Sequence, residues 1–465
     1  MPKAKSLKPS LIMKHIPFLP PTPCSLLLTA CCLFATSASA QIAPNVVRSK
    51  IAGIDTLIYK TGVQDVVTIK GSLPAGDAMS PANNAAIATL CGELLEQGTT
   101  KQTKFEIADK LERVGATVEF NVGSQALQIS AKCLKQDVPL VIGIIAEELR
   151  SPAFSEDEFT KAKAQIAGGM QRHAENTDYR ATEAFKQAVY SPGHPNRDAT
   201  TDEFLAAVEA AKLDDVKAFH AKYFGPAHCT LVLVGDVDAP VIQREIGTAF
   251  AGWTGGQDYI RAAKSTGTDA AREQTVFMAD KTSVSVVIGQ PSGLHYGDPD
   301  YVALRAATSI LGSDFTSRLI HHVRDTEGLT YHIDSALTRD DFTDGDWRIY
   351  ASFAPNLLNQ GVTSTMRELK SWYNEGVTEK ELSQRKTNLV GHYKVALATT
   401  DGMSDTLLSS VNRGVGPEWI DQYPNKVNAL TLPEVNGAIK KHLNPDTMFV
   451  IKAGTVPGAT PPPAK

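Results

Sequence analysis

The sequence predicts an α+β fold made of two homologous halves, each a mainly antiparallel sheet with helices packed on one face. Three observations carry this expectation. Leu213–Val237 aligns without a gap on Leu432–Val456 at an offset of 219, with Leu213/Leu432, Val216/Val435, Lys222/Lys441, Pro226/Pro445, Gly235/Gly454 and Val237/Val456 identical. Each copy reads as helix, proline turn, buried strand and glycine, so the chain is a duplicated unit. Upstream, Ser155-Glu156-Asp157-Glu158-Phe159 parallels Thr378-Glu379-Lys380-Glu381-Leu382, each an N-cap with Glu at the third helical position before a long helix. Finally, strands are followed by blocks of helices, the order of a sheet covered by helices on one side.

The elements follow in order. Residues 1–40 hold Lys3, Lys5, Lys8 and Lys14, an apolar run from Ser25 to Ala35, and Ala38-Ser39-Ala40 before Gln41. A basic start, an apolar middle and small residues at the end read as a secretory signal peptide, and the run is short for a membrane span. Met13 is an alternative start. Leu28-Thr29-Ala30-Cys31 is an alternative lipoprotein box, which would anchor the chain through Cys31. The expectation is an exported chain, periplasmic in a Gram-negative cell. The first half, 41–251, is expected to begin with a strand at Val66–Leu73. A helix at Asn84–Gln97, a helix at Phe105–Val114, an alternating hairpin over Thr117–Cys133, further helices and a closing strand at Thr230–Val234 follow. Residues 252–272, with Gly255-Gly256 and few large apolar side chains, read as a linker. The second half, 273–456, repeats the order from Thr275, and 457–465 is a proline-rich, flexible tail.

Composition narrows the function. The 46 basic residues fall to 42 once Lys3, Lys5, Lys8 and Lys14 are set aside, against 51 acidic ones, so the mature chain has a net charge near −9. No basic run stands out, which argues against nucleic acid as a partner. No segment after residue 40 is apolar enough for a membrane helix. Cys91, Cys133 and Cys229 are an odd, widely spaced set that gives neither a disulfide framework nor a cysteine metal site.

The stretch richest in chemistry is Ser317–Tyr331. Leu319, Ile320 and Val323 form a helical apolar stripe, Gly328 ends the helix, and Leu329-Thr330-Tyr331 starts a strand. Arg324 then sits in the last turn and Tyr331 near the strand start, so the two could converge near the sheet edge. A guanidinium fork and a phenol are both donors suited to a peptide carbonyl or a developing oxyanion. Spacing alone favours structural roles for both, because arginine suits a helix C-terminus and tyrosine is common in strands.

Ser317-Arg318-Leu319, Arg324-Asp325 and Gly328-Leu329-Thr330-Tyr331 resemble the C-terminal half of the pitrilysin/insulinase-type zinc metallopeptidases, the superfamily that includes mitochondrial processing peptidase. Asp298-Pro299-Asp300-Tyr301, Ile310-Leu311-Gly312 and the strand end Val234–Asp236 fit the same pattern. The resemblance covers nearly all of the mature chain, and its Arg/Tyr segment is the most specific part. It implies a His-x-x-Glu-His helix shortly before Gly98-Thr99, where two histidines hold zinc and the glutamate activates water. Those positions fall on Thr89, Gly92 and Glu93. The third ligand falls near Ala167–Met170, where no acid occurs. No other histidine forms such a motif. His321 and His322 are adjacent on a helix and diverge by about 100°, and Glu93 and Glu96 read as a solvated helix face.

The resemblance therefore implies a non-catalytic, substrate-binding subunit of a heteromeric zinc metalloendopeptidase. Arg324 and Tyr331 would bind the substrate and stabilise the oxyanion in trans. No cofactor is expected in this chain, and zinc is expected in a paralogous partner subunit. The substrate would be an extended peptide. The alternatives are a structural or binding protein of the cell envelope that reuses the fold and, less favoured, a zinc enzyme with unusual ligands.

Overall fold

A computed structural model describes residues 41–257 and 272–459. The expected signal peptide, most of the expected linker and most of the tail lie outside the described residues. The first half comprises β1 (Val47–Ile51), β2 (Ile54–Lys60), β3 (Val66–Leu73), α1 (Ile87–Leu95), α2 (Lys104–Val114), β4 (Thr117–Val122), β5 (Leu127–Leu134), α3 (Val138–Arg150), α4 (Glu156–Ala174), α5 (Thr177–Val189), α6 (Thr201–Ala210), α7 (Leu213–Tyr223), β6 (Thr230–Gly235) and α8 (Ala239–Ala249). The second comprises β7 (Glu273–Phe277), β8 (Val284–Pro291), α9 (Tyr301–Gly312), a π-helical turn (Ile320–Thr326), β9 (Thr330–Thr338), β10 (Asp346–Phe353), α10 (Leu358–Glu375), α11 (Glu379–Ala396), α12 (Thr400–Asn412), α13 (Trp419–Ala429), α14 (Leu432–His442) and β11 (Phe449–Gly454).

The two sheets have the orders β1-β2-β6-β3-β5-β4 and β7-β11-β8-β10-β9. Among the described residues only β2/β6 and β7/β11 pair in parallel, so both sheets are mainly antiparallel, as the sequence predicts. The repeat is visible in the backbone. The ends of α7 and α14, and of β6 and β11, correspond at the same offset of 219. Gly235 and Gly454 close the two strands at φ of +143° and +140°, a region glycine reaches without penalty. At Gly235 a side chain would also meet the Val66 carbonyl oxygen at 2.0 Å.

Local chemistry sets most element ends. Thr103 and Glu106 form a capping box at the start of α2, and Gly115 ends that helix at φ +64°. Thr378 and Glu381 form the box expected at α11. At α4 only half of it forms: Ser155 accepts from the Glu158 N–H, while the Glu158 carboxylate binds Lys104 and Lys161 instead. Helix α1 is shorter than Asn84–Gln97, because the Asn84 side chain accepts from the Ala86 N–H at 3.0 Å and donates to the Ala207 carbonyl, holding a turn before the helix. The first half also starts earlier than Val66–Leu73. β1 and β2 precede it, and β1 is a largely exposed edge strand whose Arg48 and Lys50 interrupt any apolar run.

Each half has its own core between its sheet and its helices. The opposite face of each sheet is covered by a helix of the other half. Ala181, Phe185, Ala188 and Val189 of α5 pack on Val287, Phe449, Ile451 and Ala453 of the second sheet. Met403, Leu407 and Leu408 of α12 pack on Leu57, Val232 and Val234 of the first. Matching hydroxyl pairs pin the exchange: Ser285 donates to Thr177 at 2.8 Å, and Thr68 donates to Thr400 at 2.9 Å. β6 is therefore buried on both faces, which explains its unbroken apolar run.

Candidate functional site

The Arg/Tyr segment is built on a rigid base. Leu319 and Val323 are fully buried in the second core and fix the turn that carries Arg324. The turn winds as a π-helix, with the Glu327 N–H bonding the His322 carbonyl at 3.0 Å, where the apolar stripe alone predicts ordinary helical spacing. Gly328 ends it at φ +64°, and Leu329 is buried as the chain enters β9, the edge strand of the sheet. Against β10, Thr330 faces Phe353 and His332 faces Ser352, which leaves Tyr331 as the extra residue of a β-bulge. A bulge twists its strand and re-aims the side chain. Tyr331 is 87% exposed as a result.

The structure places Arg324 and Tyr331 together. The guanidinium carbon lies 5.2 Å from the centroid of the Tyr331 ring and 5.3 Å from that of Phe315, itself 74% exposed. The two rings hold the cation between them, and the Arg324 Nε is 3.7 Å from the Asp325 carboxylate. Guanidinium and phenol thus stand at the open edge of a sheet, beside backbone groups that an added strand could pair with. Sequence reasoning missed Phe315. An aromatic in the polar loop Gly312–Thr316 was its only signal.

Arg318 of the same motif does other work. Its guanidinium forms a bidentate pair with Glu381 at 2.7 and 2.8 Å and donates to the Gly376 carbonyl. Burial alone would push Glu381 up, but the Arg318 donors and the Thr378 cap hold it down at about 2. His322 is tied to Glu368, and His321 is exposed with its ring 5.1 Å away.

In the first half the same backbone carries different residues. Gly115 has Gly328's conformation and leads at equal spacing into β4, where Val118 stands in the place of Tyr331. Thr89, Gly92 and Glu93 lie on α1, which packs on α4. The Thr89 hydroxyl donates to Asp77 at 2.7 Å, and burial raises the Asp77 carboxyl to about 7 against the opposing pull of that hydrogen bond. Gly92 is buried, and a side chain there would meet Val122 Cγ2 at 2.2 Å. Residues 167–170 on α4 offer alanine, two glycines and methionine. This donor set does not fit a zinc ion. Among the described residues no group of three or more His, Cys, Asp or Glu could hold a metal. Glu96 is exposed and accepts from the Phe120 N–H of the edge strand β4 at 2.7 Å, while Glu93 is half-buried. Beneath them Glu148, 2% exposed, is pushed up to about 8 by burial, with Glu96 and Glu147 adding to it. No helix among the described residues is long and apolar enough to cross a membrane.

A family model described as insulinase (peptidase family M16) matches residues 57–199, and one described as peptidase M16 inactive domain matches residues 210–389. The protein named Non-peptidase homolog YmxG in Helicobacter pylori is 25% identical over 374 residues, covering 79% of this chain and 84% of its own. A Bacillus subtilis protein named Uncharacterized zinc protease YmxG is 23% identical over 362 residues, covering 75% of this chain and 84% of its own. In structure, the peptidase M16 inactive domain from Pseudomonas fluorescens superposes with a TM-score of 0.80 at 22% identity, over 90% of this chain and 100% of its own. A protease from Helicobacter pylori does so with a TM-score of 0.80 at 17% identity, over 88% of this chain and 99% of its own.

Proposed function

Because the chain belongs to the insulinase family, peptidase family M16, we propose that it is the metal-free, substrate-binding subunit of a heteromeric zinc metalloendopeptidase. It is exported to the periplasm and pairs with a paralogous chain that carries the zinc site. The observation that carries the reading is the Arg324–Tyr331 pair at the edge of the second sheet, in a chain whose first half has no set of metal ligands. The substrate is an extended peptide laid along β9, main chain to main chain. Arg324 holds a substrate carbonyl through its planar fork, and Tyr331 donates to the carbonyl oxygen as negative charge develops on it. Water activation belongs to the partner, since Gly92 stands where a general base would be. The name Non-peptidase homolog on the Helicobacter pylori relative supports a chain inactive alone.

The test is to assay the mature chain alone and mixed with a zinc-bearing paralogue on an unstructured fluorogenic peptide. Cleavage confined to the mixture, and lost with Arg324→Ala or Tyr331→Phe, is the expected result. An unchanged rate with both variants overturns the site. A stable envelope complex with no peptide binding favours a scaffold instead. Fractionation and N-terminal sequencing check export, with Gln41 expected as the first residue.

A further inference from the structure

The second half holds a cavity of about 400 Å³ bounded by α9, α11 and β9, the counterpart of the α1/α4 contact of the first half. Arg305, Ser309, Asn388, His392 and Arg385 are among the residues that line it. The charge of Arg385 is spent on Asp314, which it also meets at 3.1 Å through a second nitrogen. Arg305 differs. It is exposed, has only a 3.5 Å contact with the Tyr301 hydroxyl, and forms no ion pair among the described residues. The phenols of Tyr296 and Tyr423 are within electrostatic range of its guanidinium. The acid in its field, Asp340, is bridged to Arg413 at 3.3 Å, and Arg413 also pairs with Asp341 at 2.5 Å. The Tyr393 hydroxyl, also within electrostatic range of Arg305, is buried without a hydrogen-bond partner.

A guanidinium presents five N–H donors in a fork that matches two carboxylate oxygens. Arg305 has no anion on this fork among the described residues, and hydroxyls and an amide line the cavity beside it. We propose that this cavity binds a small carboxylate monoanion, either a free acid or the C-terminal carboxylate of a short peptide. Its two oxygens lie on Arg305, and its remainder lies against Ser309, Asn388 and His392. Charge argues for a monoanion: Asp314 and Asp340 stand nearby, and Arg305 alone brings unpaired positive charge, so a phosphate dianion is repelled. The inference does not rest on the roles of Arg324 and Tyr331.

Isothermal titration of the full mature chain tests it, with trialanine, trialanine amide, propionate and inorganic phosphate as probes. At least one carboxylate probe binds, the amide binds at least tenfold more weakly than trialanine, and Arg305→Gln weakens binding at least tenfold while Arg305→Lys falls between. Binding of trialanine but not propionate assigns the site to peptide ends, and the reverse assigns it to free acids. Where trialanine binds, equal binding of its amide overturns the proposal, and so does an unaffected Arg305→Gln, tighter binding of phosphate or no binding by either carboxylate. Should Arg305→Gln fail to fold, Asn388→Leu, which narrows the cavity and leaves Arg305 in place, must weaken the carboxylate by a similar factor. An unchanged affinity in that variant also overturns it.

Discussion

Tyr331 carries Arg324 on its ring face at 5.2 Å because the bulge at Tyr331 and the π-helical turn at Arg324 bend toward each other across Gly328. Both devices are departures from regular geometry, and both occur where two donors are brought to one sheet edge. Removing either donor should therefore cost catalysis rather than stability. In the mixed enzyme, Tyr331→Phe is expected to lower kcat on the order of a hundredfold, the usual loss for one oxyanion donor. Thermal unfolding should move little, since the side chain is exposed and has no hydrogen-bond partner among the described residues. A comparable fall in melting temperature would show that the loss is structural.

Phe315 should act through Arg324. An exposed cation–π contact is worth about 0.5–1 kcal/mol, or roughly a two- to fivefold change. Phe315→Ala is expected to raise KM by that factor with kcat nearly unchanged, because the guanidinium loses one of its two walls. Phe315→Tyr should restore it. The KM-against-kcat split separates this role from direct participation.

Gly92 leaves no room for a side chain on α1. Gly92→Ala places a methyl group where Val122 already sits, and overpacking of this kind costs about 1–3 kcal/mol. Valine is stiff at χ1 and yields little. Denaturant unfolding should show the loss, with Val122→Ala relieving it in the double variant. Grafting Thr89→His, Gly92→Glu and Glu93→His together should then give a destabilised chain that retains no zinc on dialysis, because α4 offers no third ligand.

What the sequence made legible was local. The caps at Thr103 and Thr378, the alternating hairpin of β4 and β5, and the repeated α7–β6 unit each state their structure within a few residues. The convergence of Arg324 and Tyr331 was readable because only Glu327, Gly328 and Leu329 separate their elements. The bulge and the π-helical turn were not, since side-chain periodicity does not reveal an extra residue in a ladder. The helix exchange was hidden for another reason. The apolar face of α5 is plain in Ala181, Phe185 and Ala188, but its partner Val287 lies about a hundred residues on, and nothing local points there. The Arg305 cavity likewise depends on the spacing between α9 and α11.

Glu148 gives a pH dependence with a definite sign. Its folded carboxyl is raised to about 8, while the unfolded one titrates near 4.5, so the folded state holds a proton that the unfolded state releases in between. Stability from this group therefore falls as pH rises from about 4.5 to about 8, and the penalty is complete above that. Glu148→Gln mimics the protonated side chain. It should match the parent near pH 4 and exceed it by up to about 5 kcal/mol above pH 8, given about 1.4 kcal/mol per pKa unit over the rise from 4.5 to about 8. Chemical denaturation at pH 4.5 and 8.5 checks this, and an equal gain at both pH values would contradict the protonated assignment.

The exchanged helices make the two halves one folding unit. Phe185 is fully buried against Val287 and Phe449 of the other half, and Gly289 leaves room for its ring, since a side chain there would meet Phe185 Cζ at 2.8 Å. Phe185→Ala should cost about 3–5 kcal/mol, the range for emptying an aromatic site. Because the lost contacts belong to both halves, the loss should appear as a shift of a single unfolding transition and not as the separation of two. By the same logic a chain cut at an engineered protease site within 252–272 should stay one particle on gel filtration, held by α5 and α12. Dissociation into two folded fragments would mean that each sheet tolerates an uncovered face, which the fully buried Val232, Val234 and Ile451 argue against.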